Sequence, residues 1–127
     1  MLTLLPSVRV FLAAGKTDMR KAFDGLAAIA SNILRQEPTS GHLFVFCNGS
    51  RTRLKILCFD GSGFWLLHKR LEKGTFSWPA PPSLRERSVE MNASELSMLI
   101  AGLDLSSTRK RRWYSAASPN RAATESC

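Results

Sequence analysis

Residues 40–79, SGHLFVFCNGSRTRLKILCFDGSGFWLLHKRLEKGTFSWP, leave this chain few ways to fold. Three apolar runs, 42–47, 54–59 and 64–70, are rich in aromatic and aliphatic residues and too short for ordinary helices. Turn chemistry separates them: Asn48-Gly49 in a polar loop, then Asp60-Gly61-Ser62-Gly63. A fourth short run, 75–78, follows Lys73-Gly74. The pattern predicts an antiparallel meander of three strands, or four if the last run joins.

Side chains alternate along a strand, so a register divides these residues between two faces. Centring the first hairpin on Ser50/Arg51 sets Cys47 opposite Leu54. Centring the second on Gly61/Ser62 sets Phe59 opposite Phe64. One face then carries Leu43, Val45, Cys47, Leu54, Ile56, Cys58, Trp65 and Leu67, nearly pure core. The other carries His42, Phe44, Phe46, Lys55, Leu57, Phe59, Phe64, Leu66, His68 and Arg70, with Arg53 at its end. Rings interleaved with cations are what nucleic-acid-binding sheets use, rings stacking on bases and cations facing phosphates. The competing reading is that a helix or partner subunit covers this face and the cations rim it.

Charge favours a polyanionic partner. There are 18 Lys+Arg against 10 Asp+Glu, a net charge of +8, and a pI near 10.1. No basic amphipathic helix stands out, so nucleic acid is expected before membrane. Three cysteines, Cys47, Cys58 and Cys127, form no C-x-x-C and suit a reduced, cytoplasmic protein. His42, Cys47, Cys58 and His68 match no usual zinc spacing, and no metal or cofactor is expected. The apolar start is interrupted by Pro6 and Arg9 and has no basic n-region, so it reads as neither signal peptide nor membrane span.

Before the meander, residues 7–13 alternate as a strand, stopped by Gly15. Thr17 or Asp18 is expected to cap a long helix running to about Arg35, with Met19, Ala22, Phe23, Leu26, Ala30, Ile33 and Leu34 as its apolar stripe. Arg20 and Asp24 would pair at i,i+4 within it. After the meander, the Pro79–Pro82 segment is a stiff connector and Arg85-Glu86-Arg87 a solvated stretch. Asn92 with Glu95 resembles a capping box opening a helix over 93–101 that buries Leu96 and Leu99, with Gly102 as its C-terminal cap. From Ser106 the composition becomes polar. Arg109-Lys110-Arg111-Arg112 beside Trp113 and Tyr114 predicts a disordered basic tail, either phosphate-tracking or solubilising. The carboxylates Asp18, Asp24, Asp60 and Asp104 each have a structural explanation, and no nucleophile, P-loop or metalloprotease motif occurs, so no catalytic residue is assigned.

Five ordered motifs carry a resemblance. They are Thr17-Asp18-Met19-Arg20-Lys21-Ala22-Phe23-Asp24-Gly25-Leu26; Gly41-His42-Leu43-Phe44-Val45-Phe46; Arg51-Thr52-Arg53-Leu54-Lys55; Asp60-Gly61 with Gly63-Phe64; and residues 69–76 with Trp78-Pro79. Over roughly residues 4–105 the chain resembles the TnpB-like accessory proteins of bacterial insertion sequence 66 elements, encoded beside the transposase. The resemblance implies a role in transposition in company with a separate transposase, and no established catalytic residues. The loop 48–53 is less Arg-rich than the family often shows.

These readings converge on one α+β domain over residues 1–105, followed by a tail over 106–127. The domain is expected to be a mainly antiparallel sheet with the long helix on its aliphatic face and a short C-terminal helix. The expected function is non-enzymatic binding of DNA at the element ends. Its candidates are Arg20, Lys21, Arg51, Arg53, Lys55, His68, Lys69, Arg70, Arg109, Lys110, Arg111 and Arg112. The alternative is a module that docks on the transposase through Phe44, Phe46, Phe59 and Phe64 without touching DNA.

Overall fold

The computed structural model describes residues 7–81, 83 and 85–102. Five strands and two helices follow in the order β1 (Val10–Ala13), α1 (Phe23–Asn32), β2 (Leu43–Cys47), β3 (Arg53–Phe59), β4 (Phe64–Arg70), β5 (Ser88–Met91) and α2 (Ala93–Ile100). They form one mixed sheet in the spatial order β4-β3-β2-β1-β5. β2, β3 and β4 are antiparallel neighbours, with Cys47 opposite Leu54 and Phe59 opposite Phe64, the register that the turn chemistry implies. β1 adds to β2 in parallel through the crossover that contains α1, and β5 closes the far edge antiparallel to β1.

Every residue of β2 is buried, as is every residue from Leu54 to Cys58 of β3. These strands therefore need a layer on each side. On one side Leu43, Val45, Cys47, Leu54, Ile56 and Cys58 pack with Leu96 and Leu99 of α2 and with Phe76. On the other, Phe44, Phe46 and Leu57 pack with Leu26, Ala30 and Leu34 of α1 and its exit. The expectation that α1 lies on the aliphatic face is thus reversed. α2 and residues 71–78 fill that face, and the aromatic face, which is as apolar once Phe44 and Phe46 are counted, takes the crossover helix.

The helix is also shorter than its stripe suggested. Asp18 accepts from the Arg20 N–H (2.9 Å) and the Lys21 N–H donates to the Asp18 carbonyl, so residues 18–21 form a turn. α1 starts at Phe23, with Ala22 in the capping place and no side-chain cap. Arg20 accordingly pairs with Asp18 (2.7 Å), not Asp24. At the other end, the Leu34 and Gln36 N–H groups turn back to the Ile29 and Ala30 carbonyls, and Arg35 sits in the left-handed region at φ 59°.

Residues 75–78 are not a fourth meander strand. Phe76 is buried, its N–H donates to the Arg51 carbonyl (2.8 Å), and Trp78 Nε1–H donates to the Ala13 carbonyl (2.9 Å). The segment straps the aliphatic face instead. β5 follows the Arg85-Glu86-Arg87 stretch and is held at the edge by the Arg9–Glu90 pair, whose two contacts measure 2.8 and 2.7 Å. α2 opens with the capping box: the Glu95 N–H donates to Asn92 Oδ1 (2.8 Å) and the Asn92 N–H to Glu95 Oε1 (3.1 Å). Gly102, at φ 83°, lies just past its end, where L side chains are strained.

Leu54 is 1 % exposed in the middle of this packing. Leu54→Asp is expected to unfold the domain, since an unpaired buried carboxylate costs several kcal/mol. Thermal denaturation followed by circular dichroism checks this; a variant melting with the parent would contradict the register.

Candidate nucleic-acid interface

The open end of the β3–β4 pair collects positive charge. Arg53 at the start of β3 lies directly opposite Arg70 at the end of β4, and Lys55 lies opposite His68. These four alternate onto the face that α1 covers farther along. The turn that precedes α1 arrives at the same place: Lys55 Nζ donates to the Met19 carbonyl and to the Lys21 carbonyl, both at 2.8 Å. That brings Arg20 and Lys21, both exposed, beside Arg53, His68 and Arg70, also exposed.

Two carboxylates moderate the cluster. Asp18 Oδ2 takes the Arg20 guanidinium at 2.7 Å, and Glu72 Oε2 takes Arg70 at 3.1 Å. Hydrogen bonds from the Arg20 side chain and backbone hold the Asp18 carboxyl far below the usual carboxylate range. These pairs are solvent-exposed and exchange readily for other partners. Arg53 has no ion pair among the described residues. Partial burial, then the charges of Lys55 and Arg53, hold the His68 imidazolium below its ordinary range. His68 is therefore largely neutral near pH 7.

The remaining sequence candidates separate from this cluster. Lys55 is 8 % exposed and its ammonium donates to two backbone carbonyls, which sets it apart from the exposed cations. Arg51, at the hairpin tip with φ 61°, turns onto the opposite face, its guanidinium 5.4 Å from the Trp78 ring centre. One of its nitrogens is buried without a hydrogen-bond partner. Asn48 supports that unusual backbone by accepting from the Thr52 and Arg53 N–H groups at 2.9 and 3.0 Å. Lys69 also points the other way, donating to the Ile100 carbonyl at the end of α2 (2.8 Å), a favourable place for a cation. Arg109, Lys110, Arg111 and Arg112 lie outside the described residues.

The expected aromatic surface is largely covered. Phe44 and Phe46 are fully buried under α1 and offer nothing to a base or a partner. Phe59 and Phe64 are half-buried at the β3–β4 turn and meet edge to face at 5.1 Å. Among the described residues two large rings are exposed: Phe23, at the start of α1, and Trp65, on the other face of the sheet, where alternation alone puts it in the core. Asp60 holds it: Trp65 Nε1–H donates to Asp60 Oδ2 at 2.7 Å, while Asp60 Oδ1 accepts from the Ser62 and Gly63 N–H groups. Those donors bring the Asp60 carboxyl down to about 2. An Asp opening a Gly/Ser turn is a legible signal for such a bonded turn. For Lys55 the corresponding signal was its place opposite Phe46 and next to Leu57 on the same apolar face.

A cleft of about 540 Å³ lies elsewhere, between residues 32–35 and 85–88, with Arg35, Arg85 and Arg87 among its lining. No group of three His, Cys, Asp or Glu side chains among the described residues could hold a metal ion. Cys47 and Cys58 are free and buried, and burial pushes both thiols up. No helix among the described residues is long and apolar enough to cross a membrane.

The family model described as IS66 Orf2 like protein matches residues 8–110. The chain belongs to that family. It is 40% identical over 104 residues to the Uncharacterized protein y4hO of Sinorhizobium fredii (strain NBRC 101917 / NGR234), covering 80% of this chain and 88% of that protein. It is 33% identical over 104 residues to y4jC of the same strain, also named an uncharacterized protein, covering 82% and 86%. No solved structure matches. Membership places the chain among the insertion-sequence accessory proteins, a family not known as catalytic.

Lys55→Met keeps the stem and removes the ammonium, leaving the Met19 and Lys21 carbonyls without their donor. The variant is expected to lose about 1–3 kcal/mol of stability, the range for a stranded buried polar group. Urea denaturation measures this, and an unchanged midpoint would show the two bonds to be dispensable.

Proposed function

We propose that this family member assists transposition by holding DNA, at the element ends, against the cluster formed by Arg20, Lys21, Arg53, His68 and Arg70. The observation that supports this reading most is the cross-strand pairing of Arg53 with Arg70. Like charges directly opposite are unfavourable in a sheet. Such a pair is relieved when a phosphate sits between the two guanidinium groups. Exposure of all five side chains and the overall charge of +8 favour the same partner. With Phe44 and Phe46 buried on this face, the reading assigns the contacts to backbone phosphates, which position a duplex and carry no sequence information directly. The role is non-enzymatic: DNA is held for a separate transposase to act on.

Docking on that transposase is the second reading. The half-buried Phe59–Phe64 pair at the β3–β4 turn favours it as the contact. It predicts a stable complex with the transposase that survives removal of the basic cluster.

Titration of a terminal-repeat duplex, beside a scrambled duplex, tests the DNA reading. Arg53→Gln with Arg70→Gln should weaken binding to both duplexes and flatten log affinity against log salt by about two units, roughly one for each phosphate no longer neutralised. Phosphate raises the proton affinity of His68, so binding should strengthen on acidification below about pH 6.5, and His68→Gln should remove that gain. In the free protein the sign is opposite. The folded-state affinity of His68 for a proton is lowered, so acidification through the same range costs stability. Unchanged affinity and slope in the double variant would overturn the reading.

A further inference from the structure

Among the described residues β4 ends the sheet, with β3 as its one ladder partner. The bonds that flank the ladder reveal which backbone groups it turns outward. The Asp60 N–H donates to the Gly63 carbonyl (3.0 Å) and the Leu71 N–H to the Thr52 carbonyl (2.9 Å). Both pairs continue the register that sets Ile56 opposite Leu67. Hydrogen-bonded pairs recur at every second residue of an antiparallel ladder. Trp65, Leu67 and Lys69 therefore direct their backbone at β3, while Phe64, Leu66, His68 and Arg70 direct N–H and C=O groups away from the sheet. A strand of seven residues with such groups open is a template for another strand. The opposite edge, β5, has four residues.

We infer that β4 pairs with β4 of a second copy of this chain, antiparallel about a two-fold axis at Leu67. The order of residues along the strand selects this occupant. β4 begins with Phe64 and Trp65 and ends with His68, Lys69 and Arg70. A parallel copy would set cation against cation, which is unfavourable. Turned about Leu67, the second copy sets its Phe64 opposite Arg70, its Trp65 opposite Lys69 and its Leu66 opposite His68. No like charges then face each other, and each cationic end meets an aromatic end. This register is also the one in which the outward-facing groups meet. Phe64 with Arg70 and Leu66 with His68 become the hydrogen-bonded pairs, and Leu67 meets Leu67 at a non-bonded position. Trp65, 50% exposed and fixed by Asp60, gains cover in the process. Closed two-fold pairing of this kind uses the same patch on both copies and stops at two.

The test uses the full chain, with light scattering for mass and amide hydrogen exchange by NMR, over a concentration series. The expected result is twice the chain mass at high concentration, with exchange at Leu66 and His68 slowed about tenfold or more relative to dilute protein. His68→Pro deletes one outward N–H while leaving the β3 ladder whole, and should be monomeric and folded. If that variant unfolds, Leu67→Cys in a Cys127→Ser background decides instead, since the axis brings its two sulfurs together and mild oxidation should give a covalent dimer. A chain that stays monomeric throughout would overturn the inference. So would protection at Leu66 and His68 that does not depend on concentration, which would mean that another part of the same chain covers the edge. A dimer that persists in folded His68→Pro, or fails to crosslink through Leu67→Cys, would also overturn it.

Discussion

Burial of β2 from both sides is the constraint on which the rest of the structure depends. Phe44 and Phe46 point one way, Leu43, Val45 and Cys47 the other, and all five are removed from water. A strand of this kind needs neighbours on both edges and a layer on both faces. β1 and β3 supply the edges. α1 supplies one face, and α2 with the residue 71–78 strap supplies the other. The parallel β1–α1–β2 crossover follows, because a chain leaving β1 must cross a face of the sheet to re-enter beside it in the same direction.

The basic cluster is a consequence of how that crossover starts. α1 has no side-chain cap, and the turn before it exposes carbonyl groups that water or a donor must satisfy. Lys55 reaches up from β3 and donates to two of them. One ammonium thus docks the turn on the sheet end and sets Arg20 and Lys21 beside Arg53, His68 and Arg70. A residue that reads as a phosphate contact becomes the tie that assembles the residues free to make such contacts.

Much of this was legible in the residues. The Asn48-Gly49 and Asp60–Gly63 turns set the pairing of β2, β3 and β4 to the residue, and with it the grouping of Arg53, Lys55, His68 and Arg70. The Asn92/Glu95 capping box located α2. Other features were not legible, for physical reasons. Both faces of the meander are apolar, so alternation says which residues share a face but not which helix covers it. Met19 and Ala22 continue the apolar stripe of α1 at helical spacing, yet Asp18 offers the backbone a competing turn, which keeps the helix from starting there. β5 is four residues long, and its strand character comes from pairing with β1. Trp65 reads as core by alternation, but it sits on the edge strand β4 and is 50% exposed.

The proposed function gives one surface, at the end of β3 and β4 and the turn before α1, the contact with DNA. An NMR titration of the labelled full chain with a terminal-repeat duplex at low salt tests this most directly. Amide shifts at Arg20, Lys21, Arg53, His68 and Arg70 should move together, saturate, and fade as salt is raised. Shifts confined to the β5 and α2 side, or none at all at low salt, would contradict it.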